Sequence, residues 1–327
     1  MPLQYAITGA SGHVGNHLCR KLIEQGADVK ILQHKESAAF IHTDLELIPG
    51  DIRNFDSVNR LVKDSDIVFH LAAKIAISNR NGKAIREVNV DGTANVVEAC
   101  LRNHVKRLIH FGSIHTLEMF DTNDQIDGSG QLSNSHTNVY EHSKTEAEKI
   151  VTDAIKRGLD AVIITPTAII GPYDQKPSYL GQALIKINKN KIPMLIEGGY
   201  NFVDVRDVVE GAIRASSHGK RGERYILSGK WYSLKELSEM IGKISGSKTP
   251  QWVAPEWFAL LGLPFIQMFA RISGLAPLYT KQSLHMLKHS GRNISFAKAA
   301  NDLNYKPRPL QETLQDTFTW YRNNNLL

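Results

Sequence analysis

Tyr5-Ala6-Ile7-Thr8-Gly9-Ala10-Ser11-Gly12-His13-Val14-Gly15 is a short apolar strand that runs directly into a glycine-rich turn. Gly9 permits a tight turn off the strand, Gly12 lets the backbone approach a pyrophosphate, and Gly15 lets the following helix pack close to the sheet. The free N–H groups and the positive dipole end of that helix then face the phosphates. The stretch predicts the front edge of a dinucleotide-binding domain. The alternative is a junction that carries glycines for packing alone.

Length and composition indicate an ordinary globular enzyme or binding protein. The chain has 327 residues, of which 42% are hydrophobic and 22% charged, and this suits one large α/β domain or two closely joined ones. The formal charge is +6, but Lys and Arg are scattered. A phosphorylated cofactor or an acidic substrate therefore explains the excess better than nucleic acid does.

The cysteines and the ends of the chain bear on location. Cys19 and Cys100 fall in predicted helices without metal-ligand spacing, so we expect reduced thiols and no metal site. The fold begins near residue 3, and no signal or transit peptide is expected. The apolar stretch 257–269 is shorter than the roughly 20 helical residues that span a bilayer. We expect a cytoplasmic protein with no membrane span, while contact of this stretch with a membrane surface stays open.

Strand and helix patterns alternate along the first half of the chain. Strands are predicted over 5–8, 29–32, 47–52, 66–73, 107–113 and 161–166, and helices over 17–25, 56–63, 84–103 and 140–156. The alternation then loosens, with a helix over 182–190, strand character at 202–207 and 224–227, and helices over 234–244, 257–272 and 310–321. The pattern predicts an α/β fold: a Rossmann-type doubly wound parallel sheet with a smaller, mostly helical C-terminal substrate lobe. We assign 1–170, with a return segment at about 202–228, to the NADP-binding domain, and 171–201 and 229–327 to the lobe.

The end of the second strand decides the nicotinamide type. Sites that prefer NAD place a carboxylate there, whereas the 2′-phosphate of NADP requires cations. Gln33, His34 and Lys35 occupy this position, and no carboxylate comes before Glu36. The sequence favours NADP(H), with NAD(H) as the alternative if His34 and Lys35 are merely solvated. Asp51, at the end of the third strand, is placed to meet the adenine amino group.

A Ser at a strand end and a Tyr-x-x-x-Lys on a helix define the candidate chemistry. Tyr140 and Lys144 share one helical face, and Ser113 ends the fifth strand. Lys144 is expected to lower the pKa of Tyr140 towards working pH and to hold the nicotinamide ribose. Tyr140 exchanges a proton with the substrate oxygen, and Ser113 hydrogen-bonds the same oxygen. His115 is expected to be a hydrogen-bonded structural histidine, and Glu141 and His142 to be exposed.

Small residues predict close contacts at two places in the chain. Ala72 and Ala73, at the end of the fourth strand, let a cofactor lie against the sheet. Gly92, in the middle of the helix 84–103, costs up to about 1 kcal/mol relative to alanine, so a close contact is expected there.

A series of motifs falls in one order along essentially the whole chain: Thr8 to Gly15, Gly50-Asp51-Ile52, His70 to Ala73, Asn89 to Thr93, Ser113, Tyr140 to Lys144, Pro166, Gly171-Pro172 and Phe202 to Asp207. These motifs resemble the extended short-chain dehydrogenase/reductase family, and most of all its dihydroflavonol-4-reductase-like and 3β-hydroxysteroid-dehydrogenase-like branch. The stretch from 158–161 through 223–227 is also similar to bacterial hopanoid-associated sugar epimerases.

The resemblance implies Ser113, Tyr140 and Lys144 as the catalytic trio, and a homodimer formed through the helices 84–103 and 140–156. Reductases of this branch usually carry Arg where His34 stands, and Lys35 is the cation that compensates. The cofactor contacts that the resemblance and the motifs imply are Gly9, Ser11, Gly12, His13, Val14, Gly15, His34, Lys35, Asp51, Ile52, Leu71, Ala72, Ala73, Asn89, Tyr140, Lys144, Pro166 and Ile169.

Two departures narrow the activity within the family. Dehydratases carry an acidic pair directly after the strand-end Ser, whereas Ile114 and His115 follow here. Epimerases commonly place an Arg before the segment that begins at Phe202, whereas 198–201 contains no cation. We therefore favour an NADP(H)-dependent reductase or dehydrogenase for a small, apolar carbonyl compound. A sugar epimerase with retained NAD and a non-catalytic NADP-binding protein are the alternatives.

Overall fold

The computed structural model describes residues 3–34, 45–75, 81–118, 125–134, 138–273, 279–281, 284, 287, 290 and 293–327. Within these residues, seven parallel strands form the central sheet, in the order β10-β6-β5-β4-β1-β2-β3. The strands are β1 Gln4–Thr8, β2 Asp28–Gln33, β3 Glu46–Pro49, β4 Ile67–His70, β5 Arg107–Phe111, β6 Ala161–Pro166 and β10 Arg224–Leu227. This is the predicted Rossmann-type sheet.

Alternate residues of the strands face the two sides of the sheet, as a period of two requires. On one side Ile7 and Phe69 pack with α1 (His13–Glu24) and α7 (Val205–His218). On the other side Ala6 and Val68 pack with α2 (Phe55–Val62), α4 (Gly92–Arg102) and α5 (Val139–Lys156). Both faces are covered, which explains why the central strands are apolar throughout.

The prediction of strand character over 202–207 is wrong beyond Asp204. Strand β9 (Gly199–Asp204) ends there, and the Asp204 side chain accepts a hydrogen bond from the Arg206 N–H (2.8 Å), which caps α7. Valines and alanines at helical spacing then bury one face of α7. Strand β9 pairs with β7 (Ala168–Ile170) and β11 (Trp231–Ser233) in a separate three-stranded sheet.

The predicted helix 84–103 is interrupted. It comprises α3 (Gly82–Arg86), a π-helical turn (Glu87–Asp91) and α4. A Cβ on Gly92 would lie 2.8 Å from Cγ1 of Ile52, so the close contact expected at this glycine is confirmed.

The helices Tyr179–Asn188, Leu234–Ser245 and Leu310–Asn323 pack beside the three-stranded sheet around a third apolar core. The helix Glu256–Ser273 contributes to a separate, smaller cluster, and the helix Ala297–Leu303 packs against α7 and β10. None of the helices in the described ranges is long and apolar enough to cross a membrane. The division of the chain into two domains stays a prediction. The elements outside the two larger sheets and the helices already described are β8 Leu195–Ile196, paired with β12 Val253–Ala254, and the helices α6 Tyr179–Asn188, α8 Leu234–Ser245, α9 Glu256–Ser273, α10 Ala297–Leu303 and α11 Leu310–Asn323.

Candidate active site at the carboxyl edge of the sheet

The strand order reverses between β1 and β4, and ligand sites of open α/β sheets lie at this switch point. Gly9 has a φ of +78°, and a Cβ there would lie 2.6 Å from the Ala72 nitrogen. The Ala72 N–H donates to Thr8 Oγ1 (3.3 Å), and the Leu71 N–H to the Thr8 carbonyl (3.1 Å). Glycine is therefore required at position 9 for two reasons. The backbone has a positive φ, and a side chain would collide with the backbone that follows β4.

The start of α1 fits the phosphates of a dinucleotide. Gly12 is its N-cap and provides no side-chain cap, and the first turn contains no acidic residue. A Cβ on Gly15 would lie 2.2 Å from the Gly9 carbonyl oxygen, so this glycine lets the helix pack against the turn itself. Ser11 is exposed, and His13 and Val14 are half-buried. The uncapped N–H groups and the helix dipole suit an anion.

The side chain of His13 has a role that its place in the motif does not reveal. Nε2 of His13 and Nε2 of His17 each donate to the Pro172 carbonyl at 2.8 Å. The His17 ring also lies edge-on to Tyr173, with the centroids 5.1 Å apart. These contacts connect α1 with the segment that follows β7.

The surroundings of His34, where the adenosine is expected, are more acidic than the sequence suggests. Nε2 of His34 lies 3.0 Å from Oδ2 of Asp51, and the Arg53 guanidinium donates to both Asp51 oxygens. Arg53 lowers the pKa of Asp51 to about 2. A carboxylate oxygen of Glu87 lies 3.4 Å from the Arg53 guanidinium, and Glu87 lines a surface depression together with Asp51 and Arg53. His34 thus faces a carboxylate from the loop after β3. Lys35 lies outside the described residues.

Asn89 is buried in the π-helical turn and joins three segments. Its side-chain oxygen accepts from the Lys74 N–H (2.7 Å), and its amide donates to Ser143 Oγ (2.9 Å). The Ser143 hydroxyl donates to the Tyr140 carbonyl (2.7 Å). Asn89 therefore fixes the strand-end segment after Ala73 relative to the first turn of α5, and its side chain is already engaged by the protein.

Ser113, Tyr140 and Lys144 come together beside this network. Ser113 follows β5 as the N-cap of a 3₁₀ turn (Ile114–Thr116), and its Oγ accepts from the His115 N–H (3.3 Å). The Ser113 hydroxyl also hydrogen-bonds the Tyr140 side chain. Lys144 Nζ donates to the Phe111 carbonyl (2.5 Å). The three candidate catalytic residues that the sequence predicts therefore lie at one site in the structure.

The expected lowering of the pKa of Tyr140 is not found. Burial raises the pKa of Tyr140 to about 12, with the Ser113 hydrogen bond opposing the rise, and Glu141 adds to it. Burial also lowers the pKa of Lys144 to about 8. The Lys144 ammonium is bound to the Phe111 carbonyl, so desolvation outweighs its attraction for a tyrosinate. At neutral pH the phenol is protonated and able to donate.

The turn after Ser113 is anchored by a buried ion pair. The Thr116 hydroxyl donates to Oε2 of Glu148 (2.9 Å), and Arg224 donates to Oε1 of the same carboxylate (2.9 Å). Glu148 is fully buried and Arg224 nearly so. This pair joins α5, β10 and the 3₁₀ turn, and so holds Ser113 against Tyr140.

Sequence reasoning missed two charged residues near the site. Glu141, expected to be exposed, is 7% exposed and next to His115, whose pKa burial lowers while Glu141 opposes the change. Only the packing of the 3₁₀ turn on α5 brings them together. His142 is exposed, as expected. The other missed residue is Arg53, whose only signal was its position two residues after Asp51.

The remaining predicted cofactor residues lie along the same edge. Leu71, Ala72 and Ala73 are half-buried beyond the end of β4. Pro166, at the end of β6, and Ile169, in β7, are also half-buried, and Ile52 is buried against Gly92. Below them the His70 ring bonds Thr8 Oγ1 (2.7 Å) and Thr93 Oγ1 (2.9 Å). The expected cofactor contacts stay predictions, because they rest on position.

The fold and the glycine turn define the class of NAD(P)-dependent oxidoreductases. The chain belongs to the NAD dependent epimerase/dehydratase family, whose model matches residues 5–228. This confirms the resemblance to extended short-chain dehydrogenases/reductases.

Three similar proteins cover the chain almost completely. Sterol demethylase protein B of Methylococcus capsulatus is 27% identical over an alignment of 335 positions that covers 98% of this chain and 99% of the relative. A putative dihydroflavonol 4-reductase of Synechocystis is 28% identical and covers 98% of this chain and 94% of its own length. The crystal structure of gox2253 superposes with a TM-score of 0.86 at 30% identity and covers both chains fully.

Proposed function

We propose that the chain is an NADP(H)-dependent reductase that interconverts a carbonyl and a secondary alcohol on a small, apolar molecule. The observation that carries the proposal is the Tyr140 phenol, protonated at neutral pH and hydrogen-bonded to Ser113. A neutral phenol is a general acid, which carbonyl reduction requires. The names of the two relatives, a sterol demethylase protein and a dihydroflavonol reductase, support an apolar substrate.

The proposed roles follow from the contacts. Ser113 positions the substrate oxygen, and Tyr140 gives it a proton on reduction or removes one on oxidation. Lys144 holds the nicotinamide ribose and stabilises negative charge near the phenol. The uncapped first turn of α1 binds the pyrophosphate. When bound, the nicotinamide supplies or accepts the hydride.

NADP(H) is the favoured cofactor in this proposal, because the His34 ring and the Arg53 guanidinium can both donate hydrogen bonds to a 2′-phosphate at the expected adenosine end. A bound 2′-phosphate would compete with Asp51 for the His34 and Arg53 side chains. The carboxylates of Asp51, Glu87 and Asp91, which line the same depression, favour NAD(H) instead. They support the second candidate, a sugar epimerase that retains NAD through turnover.

We further propose a homodimer formed through α3 to α5 and a cytoplasmic location. Both cysteines are unpaired and buried, which suits a reducing compartment. A monomeric mass in solution would contradict the dimer.

The test of function is Tyr140→Phe. Turnover on the best substrate of a carbonyl panel should fall by about 10²- to 10⁴-fold, while NADPH binding, followed by nicotinamide fluorescence, stays unchanged. Tyr5→Phe is the matched control, since Tyr5 lies near the opposite end of β1.

Retained activity in Tyr140→Phe would overturn the role of the phenol. Release of NAD from denatured wild-type protein, together with binding of nucleotide sugars, would favour the epimerase. If no compound in the panel is turned over, the non-catalytic alternative gains support.

A further inference from the structure

The helix α9 and the strand before it form an exposed apolar surface. Eleven large apolar side chains are exposed among the described residues, and six of them fall between 252 and 268. Scattered exposed apolar residues need no explanation, but a contiguous group does. The six are Trp252, Trp257, Phe258, Leu260, Leu261 and Met268.

Both sides of α9 are apolar, but only one is covered. Ala259 and Leu263 are buried against Tyr279 and Leu284, and the Tyr279 hydroxyl donates to the Ala259 carbonyl (2.9 Å). Trp257, Leu261 and Met268 recur at helical spacing on the opposite side, where Trp257 is 63% and Leu261 64% exposed. A helix that is apolar all round normally has an apolar neighbour on every side.

Aromatic rings dominate one end of this surface. The Phe258 ring lies edge-on to Trp252, with the centroids 5.6 Å apart, and edge-on to Trp257 at 5.8 Å. The strand β12 is only two residues long, so α9 folds back beside Trp252. Tryptophan is the residue that most favours the boundary between lipid headgroups and acyl chains.

Exposed lysines lie close in sequence to the aromatic end. Lys248 lies four residues before Trp252, and Lys191 lies four residues before Leu195, whose N–H donates to the Trp252 carbonyl (2.8 Å). Lys281 follows the Tyr279 that packs under α9. All three are exposed, and none has an ion-pair partner within the described ranges. Of the nearby carboxylates, Glu197 follows β8, whereas Glu256 directly precedes Trp257 and already has an interaction within the protein.

We propose that this surface docks on an anionic lipid bilayer, with α9 lying in the plane of the interface. Lysines around an exposed apolar face complement acidic headgroups, and the tryptophans and Leu261 enter the acyl boundary. A second copy is a poorer occupant, because each copy would bring the same three lysines into the contact, and like charges in one interface are unfavourable. The proposal stands apart from the proposed reductase function, since docking needs neither cofactor nor turnover.

The test is co-sedimentation of the full chain with vesicles of phosphatidylcholine alone and of phosphatidylcholine with about a third phosphatidylglycerol. We expect binding to the anionic vesicles, a blue shift of tryptophan emission, and loss of binding as salt is raised. Trp257→Ser/Leu261→Ser should abolish the binding. Lys191→Gln/Lys248→Gln should weaken it roughly tenfold or more.

The matched control is Leu3→Ser/Leu47→Ser, which removes exposed apolar side chains elsewhere and should bind like the wild type. Circular dichroism reports whether each variant is folded. No binding by the folded wild type, or binding that Trp257→Ser/Leu261→Ser leaves intact, overturns the proposal. So does a dimer in solution that this variant converts to a monomer, because the surface would then be occupied by a second copy.

Discussion

At the scale of residues, burial sets the protonation states of the candidate catalytic groups. The pKa of Tyr140 is raised to about 12 and that of Lys144 is lowered to about 8, so both groups carry a proton at neutral pH. The raised value favours proton donation over abstraction. In the oxidative direction, a bound cofactor with its positive nicotinamide ring would favour the tyrosinate.

These two pKa values predict how cofactor use depends on pH. We expect kcat/KM for the nicotinamide cofactor in the reductive direction to be level from about pH 6.5 to 7.5 and to fall with an apparent pKa near 8, as Lys144 loses its charge. The pKa of Tyr140 lies too high to limit this range. Initial rates at saturating carbonyl compound measure the profile. A falling limb centred below pH 7 would contradict the assignment to Lys144.

A second prediction concerns the carboxylate that faces His34. Asp51→Asn removes one negative charge from between His34 and Arg53, so both become available to a 2′-phosphate. The ratio of NADPH to NADH affinity should rise by about threefold to tenfold. Parallel fluorescence titrations with NADPH and NADH give this ratio. A contact with adenine that the substitution removes would weaken both cofactors equally, so it would not change the ratio. An unchanged ratio would place the 2′-position away from Asp51.

At the scale of elements, the central sheet and most helices could be predicted, because their signal is local. Buried strands appear in the sequence as apolar runs. Gly9 predicted a tight turn and Gly92 a close contact, and the structure confirms both. The helix α7 was missed because Val203 and Val205 continue a strand-like alternation, while the capping role of Asp204 depends on the turn that follows.

Charges brought together by tertiary structure were beyond sequence reasoning. His34 meets Asp51 only because β2 and β3 are paired in register, and Glu141 is buried only because the 3₁₀ turn packs on α5. Their sequence positions alone suggest solvated side chains. The proximity of the three candidate catalytic residues was predictable, because Tyr140 and Lys144 lie one helical turn apart and Ser113 follows a strand that ends at the same edge.

The packing of α4 on the loop after β3 leads to a stability prediction. Gly92→Ala places a methyl 2.8 Å from Cγ1 of Ile52, and overpacking of this kind costs about 1–3 kcal/mol, against about 1 kcal/mol gained in helix propensity. We expect a net loss in the free energy of unfolding by urea. In an Ile52→Ala background the same substitution should be neutral or stabilising. Equal effects in both backgrounds would contradict the contact.

At the scale of the whole molecule, buried histidines join parts that are distant in sequence. His17 reaches Pro172 across 155 residues, and His70 bonds residues from β1 and α4. The rings of His70 and His110 lie 5.3 Å apart between neighbouring strands. Burial lowers the pKa of His17 to about 4 and of His70 to about 3, and that of His110 falls well below its ordinary value. All three are neutral in the folded protein.

These lowered values predict a loss of stability in acid. The unfolded chain binds protons at histidine near pH 6.5, while folded His17 binds one only near pH 4, so stability is full above pH 6.5 and declines as the pH falls towards 4. His17 alone accounts for up to about 3 kcal/mol over this window. Urea unfolding measured at several pH values gives the slope. His17→Gln should reduce it by up to about one proton, and His142→Gln, a substitution at an exposed position, is the control variant. Equal slopes in the two variants would mean that burial does not keep His17 neutral, and that the junction between α1 and the segment after β7 is open to water.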